Sequence, residues 1–132
     1  MLQCVVQASG HHAPVHAVCV HLGLRESQRQ RQLRRVCDLL RTFPAEEPVV
    51  LAGDFNDWCH RAHAILQKGA GLREVFVQAC GRAMRTFPAF MPLLALDRIY
   101  VRNAAAFSAL AMPRKPWNQL SDHAPLAAEI LL

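Results

Sequence analysis

A layered α/β or α+β fold is predicted by the order of elements legible along the chain: two strands, a helix, a strand, two helices and three further strands. Three observations carry this. Valine-rich runs open the chain, one long stretch repeats its apolar residues at helical spacing, and short apolar segments flanked by turn residues recur towards the end. The 132 residues suit a single domain, and a hydrophobic content of 52% against 19% charged excludes a disordered tail.

Residues 2–8 and 15–22 read as strands joined by the turn-forming segment Ser9-Gly10-His11-His12-Ala13-Pro14, a hairpin. From Glu26 to Phe43, Leu33, Val36, Cys37 and Leu40 mark one face of a helix, with arginines and glutamines on the other. Pro44 ends it. After Pro48, the all-apolar run Val49-Val50-Leu51-Ala52 fits a strand buried on both faces. Two helical segments follow, 60–68 and 72–80, with Gly69-Ala70-Gly71 as the break between them. Strands are expected over 96–101, 106–111 and 125–132.

The formal charge is +5, and several of the thirteen arginines fall between Arg25 and Arg41. Arg29, Arg31, Arg34 and Arg35 there fit a nucleic-acid or other polyanion contact and equally a solvated helix face. The five cysteines form no C-x-x-C pair and read as small buried hydrophobes in a reducing compartment. The N-terminus lacks the pattern of a signal peptide, and no stretch approaches the ~20 apolar residues of a membrane span, so a cytoplasmic location is expected. His60 and His63 have a spacing zinc could use, but no further Cys or His is placed to complete a shell.

Gly53-Asp54-Phe55-Asn56 puts a carboxylate and a carboxamide two residues apart at a strand end, where alternation aims both to one side. An ionised Asp54 can polarise water or approach a hard cation, and Asn56 can offer a donor to a phosphate oxygen. The alternative is an Asp/Asn turn capping the next helix. In Leu96-Asp97-Arg98-Ile99-Tyr100, a charged pair interrupts an apolar strand, and such charges need partners. Either they face solvent or salt-bridge partners, or Asp97 orients a histidine so that its other ring nitrogen is free to take a proton. Ser121-Asp122-His123 supplies a histidine just before the last strand, and side-chain alternation keeps Asp122 and His123 from pairing with each other. His21 closes the second strand, immediately before the arginine-rich segment.

Together, and in this order, the three motifs resemble the endonuclease/exonuclease/phosphatase superfamily, which includes pancreatic deoxyribonuclease, abasic-site endonucleases, sphingomyelinases and inositol polyphosphate phosphatases. Thr86-Phe87-Pro88-Ala89 is similar to its bacterial members. The resemblance spans nearly the whole chain. It implies half of a four-layer α/β/β/α sandwich with mostly antiparallel strands, residues 1–132 being the C-terminal portion of the domain. It further implies a metal-dependent phosphoesterase, with His123 as general base, Asp97 orienting it, Asp54 and Asn56 positioning nucleophile and phosphate, and His21 assisting phosphate or leaving group. Asp122 would contact Mg²⁺, with Mn²⁺ as the alternative ion. Trp58 and Arg98 are counted among the substrate contacts, and Trp58 and Trp117 are candidates to line a pocket. The substrate class implied is a phosphate ester, in nucleic acid or a phospholipid headgroup. The family's asparagine and metal-binding glutamate from its N-terminal half have no counterpart here, so the resemblance leaves the site incomplete. It also implies an apolar sheet face that a missing half or a dimer partner would cover. The alternative reading is a non-catalytic basic module.

Overall fold

The computed structural model describes residues 1–7, 10 and 13–132. Its elements are β1 (Leu2–Val6), β2 (Val15–His21), α1 (Glu26–Arg41), β3 (Val49–Asp54), α2 (Arg61–Ala70), β4 (Arg73–Glu74), α3 (Val75–Cys80), β5 (Asp97–Arg102), β6 (Ala106–Leu110), α4 (Trp117–Leu120) and β7 (Ala127–Leu131). The hairpin expected at the start is present as antiparallel β1 and β2. Its turn, and Ala8 of the first strand, fall largely on residues outside those described.

The main sheet runs in the order β1-β2-β3-β5-β4, and β6 and β7 form a second, two-stranded sheet. Among the described strands only β2 and β3 pair in parallel, because α1 carries the chain back between them. The other pairings are antiparallel, as expected.

Period-two alternation sorts the main sheet into two faces. On one, Val18 and Val20 of β2, Leu51 of β3 and Tyr100 of β5 pack with Leu33, Val36 and Leu40 of α1 and Leu66 of α2. The core includes Leu40, Leu51 and Leu66, each fully buried. On the other, Val50, Ile99 and Val101 meet Phe107 and Ala109 of β6 and Ala128 and Ile130 of β7. A helical layer, the main sheet and a two-stranded second sheet are thus stacked in sequence. The second sheet covers only the β3 and β5 side. Strand β1 is exposed along its whole length, with Leu2 at 76%.

Several expectations are corrected. The strand expected to end at Gly53 continues one residue to Asp54, and α2 runs through Gly69 and Ala70 to stop at Gly71. Gly71 adopts φ +66, and Leu72 N–H closes back on the Leu66 carbonyl, the usual left-handed glycine ending. Residues 73–74, expected as helix, pair with β5 before α3 begins. Only Cys37 of the five cysteines is buried; Cys4, Cys19, Cys59 and Cys80 are exposed. Cys4 and Cys19 lie on the part of the sheet that β6 and β7 do not cover. Among the described residues, no helix is long and apolar enough to cross a membrane.

Candidate active site

His21, Asp54 and Asp97 stand in one row across three strands, since His21 is the register partner of Asp54 and Asp54 that of Asp97. Paired positions share a face, so all three side chains rise on the same side of the sheet. They rise at the end where β2 and β3 finish and β5 starts. His21 Nε2 lies 3.5 Å from Asp54 Oδ2, with the imidazole 80% exposed.

His123 reaches this row from the loop before β7, its Nδ1 lying 2.7 Å from Asp97 Oδ2. Both groups are about three-quarters buried, at 27% and 23% side-chain exposure. Partial burial opposes protonation of His123, but the hydrogen bond and charge of Asp97 and the charges of Asp54 and Asp122 outweigh it. The net effect raises its pKa above the ordinary 6.5. With Nδ1 engaged by the carboxylate, Nε2 is the ring nitrogen left to accept a proton.

Asn56 is brought to Asp54 by a turn and not by strand alternation. Its φ is +48, beyond the end of β3. Its backbone N–H donates to Asp54 Oδ1 at 2.8 Å, and its side-chain amide donates to Asp54 Oδ2 at 3.1 Å and to the Leu22 carbonyl at 2.8 Å. Both amide hydrogens are therefore committed, and Asn56 holds the Asp54 carboxylate in place. The helix-capping alternative is realised one residue further on: Asp57 Oδ2 accepts from Ala62 N–H at 2.6 Å in the first turn of α2.

Asp122 is exposed beside this pair, its carbonyl accepting from Ala89 N–H at 2.7 Å. An open cleft of about 870 Å³ gathers His21, Asp54, Asn56, Asp97, Asp122 and His123, with Trp58 and Phe87 on its walls. Among the described residues no three His, Cys, Asp or Glu side chains are grouped closely enough to hold an ion. Asp122 alone is a rim carboxylate that a hard cation keeping its waters could use, and these residues do not complete a shell around it.

Two residues lie elsewhere than the sequence suggested for this cleft. Arg98, counted with the substrate contacts, is 4% exposed and pairs in register with Gly53, on the opposite face of β5 from Asp97. Alternation turns it away from the cleft, and its Nη2 meets His60 Nδ1 at 2.9 Å. Arg29, expected at a polyanion surface, is buried, ion-paired with Glu26 at 2.6 Å and bonded to the Leu24 carbonyl. Its guanidinium lies 4.6 Å from the Trp58 ring centroid, supporting a side chain that stays 45% exposed. Arg31, Arg34 and Arg35 remain exposed on α1. Trp117 is outside this cleft but lines a smaller one of about 370 Å³ on the other side of the pair, together with Asp97 and His123.

The residue that sequence reasoning passed over is Thr86, fully buried, whose hydroxyl accepts from Leu96 N–H at 3.4 Å and Asp97 N–H at 3.3 Å. Its carbonyl accepts from Ala124 N–H at 2.7 Å. One residue thus ties the start of β5 to the loop carrying His123, while its neighbour Phe87 sets its ring 5.1 Å from that of His123. The available signal was Thr86-Phe87-Pro88-Ala89 as a motif, without a role.

Comparison with known proteins bears on the family and the fold. An uncharacterized protein YbhP of Escherichia coli K12 is 54% identical over 118 residues, covering 89% of this chain and 47% of that protein. The chain thus spans about half the length of this relative. A functionally unknown conserved protein from Enterococcus faecalis superposes with a TM-score of 0.71 at 24% identity, over 92% of this chain and 52% of the other. D. rerio TDP2 complexed with single-strand DNA product superposes at 0.62 and 20% identity, over 97% and 59%. Such likenesses are of fold. The model of the Endonuclease/Exonuclease/phosphatase family matches residues 5–123, a span that holds every residue of the row and of the His–Asp pair, and the chain belongs to that family.

Proposed function

We propose that the cleft is the hydrolytic site of a metal-dependent phosphoesterase, acting on phosphodiester or phosphomonoester bonds. The observation that carries this is the 2.7 Å bond from Asp97 to His123 Nδ1, in a cleft that also presents Asp54 and His21. Asp97 fixes the tautomer and orientation of the ring, so that His123 Nε2 can draw a proton from water attacking phosphorus. Asp54, held by Asn56, orients that water, and His21 stands ready to protonate the leaving oxygen. Asp122 would hold Mg²⁺, or Mn²⁺, whose contribution when bound is to neutralise charge on the phosphate oxygens. The remaining ligands would come from water and from polypeptide beyond these residues. That polypeptide, or a second subunit, would also cover the exposed face at β1. Likeness in fold to a protein solved with single-strand DNA product supports a nucleic acid as one substrate class, beside phospholipid headgroups.

The test is hydrolysis of bis(p-nitrophenyl) phosphate in Mg²⁺ by this chain supplied with the portion of the Escherichia coli relative that it does not span. Metal-dependent turnover is expected, with His123→Ala lowering it by roughly 10²- to 10⁴-fold, the usual contribution of a general base. A rate indifferent to His123→Ala sinks the reading. The alternative, a non-catalytic polyanion-binding surface, rests on exposed Arg31, Arg34 and Arg35. It expects salt-sensitive DNA binding that survives His123→Ala and no turnover.

A further inference from the structure

Behind the rim of the catalytic cleft lies a second one, of about 770 Å³. The two share Trp58 and Leu94 as a common wall, both exposed, so that a ligand in one can continue over this ridge into the other. The second cleft is lined by Arg82, Arg85, Arg98, His60 and His63 against one acid, Glu74.

Its charge is only partly offset: Glu74 lies near enough to Arg98 for their charges to interact, but the two form no ion pair. The arginine ion pairs among the described residues involve Arg29, Arg41 and Arg61, and none of the three arginines here. Arg98 is the unusual member. A guanidinium 4% exposed is expected to be paired with a carboxylate, yet its side-chain hydrogen-bond partner among the described residues is His60 Nδ1, and its Nη1 is buried with no partner. Glu74 is 1% exposed; its Oε2 accepts from Val77 N–H, while its Oε1, like Arg98 Nη1, is buried with no partner, so the acid is held by its own helix and not by the guanidinium. A fixed guanidinium, offset by Glu74 only through space and with one nitrogen unpartnered, therefore sits behind the cleft. Exposed Arg82 and Arg85 stand in front of it as adaptable forks suited to phosphate oxygens.

We infer that this second cleft is a subsite for a second phosphate, the one next to the scissile group in a substrate that carries two, with Trp58 packing against the unit between them. The inference rests on the hydrolytic reading of the first cleft for which phosphate is cut, but binding in the second requires no turnover. Two sources share this chemistry: a nucleic-acid strand and a multiply phosphorylated headgroup.

The experiment is calorimetric binding to this chain without divalent metal, so that hydrolysis does not enter. The ligands are thymidine dinucleotide with and without a 5′-phosphate, an inositol bisphosphate, and inorganic phosphate. The expected result is tighter binding of a two-phosphate ligand than of unphosphorylated dinucleotide, and an approximately tenfold weakening of that ligand alone in Arg82→Gln/Arg85→Gln. Preference for the phosphorylated dinucleotide identifies a strand, and preference for the inositol bisphosphate a headgroup. Both side chains are exposed, so the variant should fold, which its melting curve verifies. The inference is overturned if no two-phosphate ligand binds, if the extra phosphate adds no affinity, or if the double variant leaves that added affinity intact. Loss of the hydrolytic reading through an indifferent His123→Ala would leave these binding results standing, so the two failures are distinguishable.

Discussion

Replacing Asp97 by Asn tests the central pair with little change of shape. An amide can still meet His123 Nδ1 at the 2.7 Å now spanned by the carboxylate, but the charge is gone. Charge-assisted hydrogen bonds are about twice as strong as neutral ones. The anion therefore accounts for much of the preference for imidazolium, together with the charges of Asp54 and Asp122 that remain. The pKa of His123, raised in the protein, should fall in Asp97→Asn, as followed by NMR titration of the ring without added metal. Stability should follow by linkage. A histidine whose folded pKa is raised contributes stability that is fully present below its unfolded value of about 6.5 and is lost as pH rises through the folded pKa. In Asp97→Asn that component shrinks, so urea midpoints of the two proteins should differ more at pH 5.5 than at pH 8.5. Hydrolysis should drop by about 10²-fold or more, because the tautomer is no longer enforced. Adding His123→Ala to Asp97→Asn should cost little beyond His123→Ala alone, since the two act as a unit. An unchanged His123 titration, or additive losses in the double variant, would refute the assignment.

Two further substitutions probe what supports the site. Gly53 has φ +136, and a Cβ there would lie 1.9 Å from the Val20 carbonyl oxygen. Gly53→Ala should therefore destabilise by about 3 kcal/mol or more, read by urea denaturation, and a loss below about 1 kcal/mol would show that β2 and β3 are not so closely set. Thr86→Val keeps the shape but strips the acceptor from Leu96 and Asp97 N–H, with an expected loss of about 1–3 kcal/mol and a displaced His123 titration that Thr86→Ser restores. A Thr86→Val protein with both unchanged would leave the hydroxyl without a positioning role.

Much of the site was legible because it depends on period two and on register. Once residues 15–22, 49–54 and 97–102 are strands, the placement of His21, Asp54 and Asp97 near strand ends makes a shared face the natural arrangement. The same rule was sufficient to turn Arg98 away from Asp97, and placing both in one cleft neglected it. Arg29 carried a similar signal: it precedes Leu33 by four residues, on the apolar face of α1, where a guanidinium is buried along with its neighbours. Thr86 is different. Its importance comes from meeting Leu96, Asp97 and Ala124, ten, eleven and thirty-eight residues away, and no local pattern encodes contacts closed by the fold.

The dipeptide Asp97-Arg98 shows how alternation divides labour at one strand end. Adjacent side chains on β5 must point to opposite faces, so an acid that orients a base on one side places a cation on the other. That cation could have been ion-paired in the core, as a purely structural role would favour, and Glu74 lies on the same cleft wall. It is not: Arg98 holds His60 instead, two residues beyond the Trp58 ridge that separates the clefts. A charge left underpaired there is costly unless something anionic approaches it. Over the ridge, where His123 and Asp97 face the first cleft, a scissile phosphate would already have brought such a molecule near.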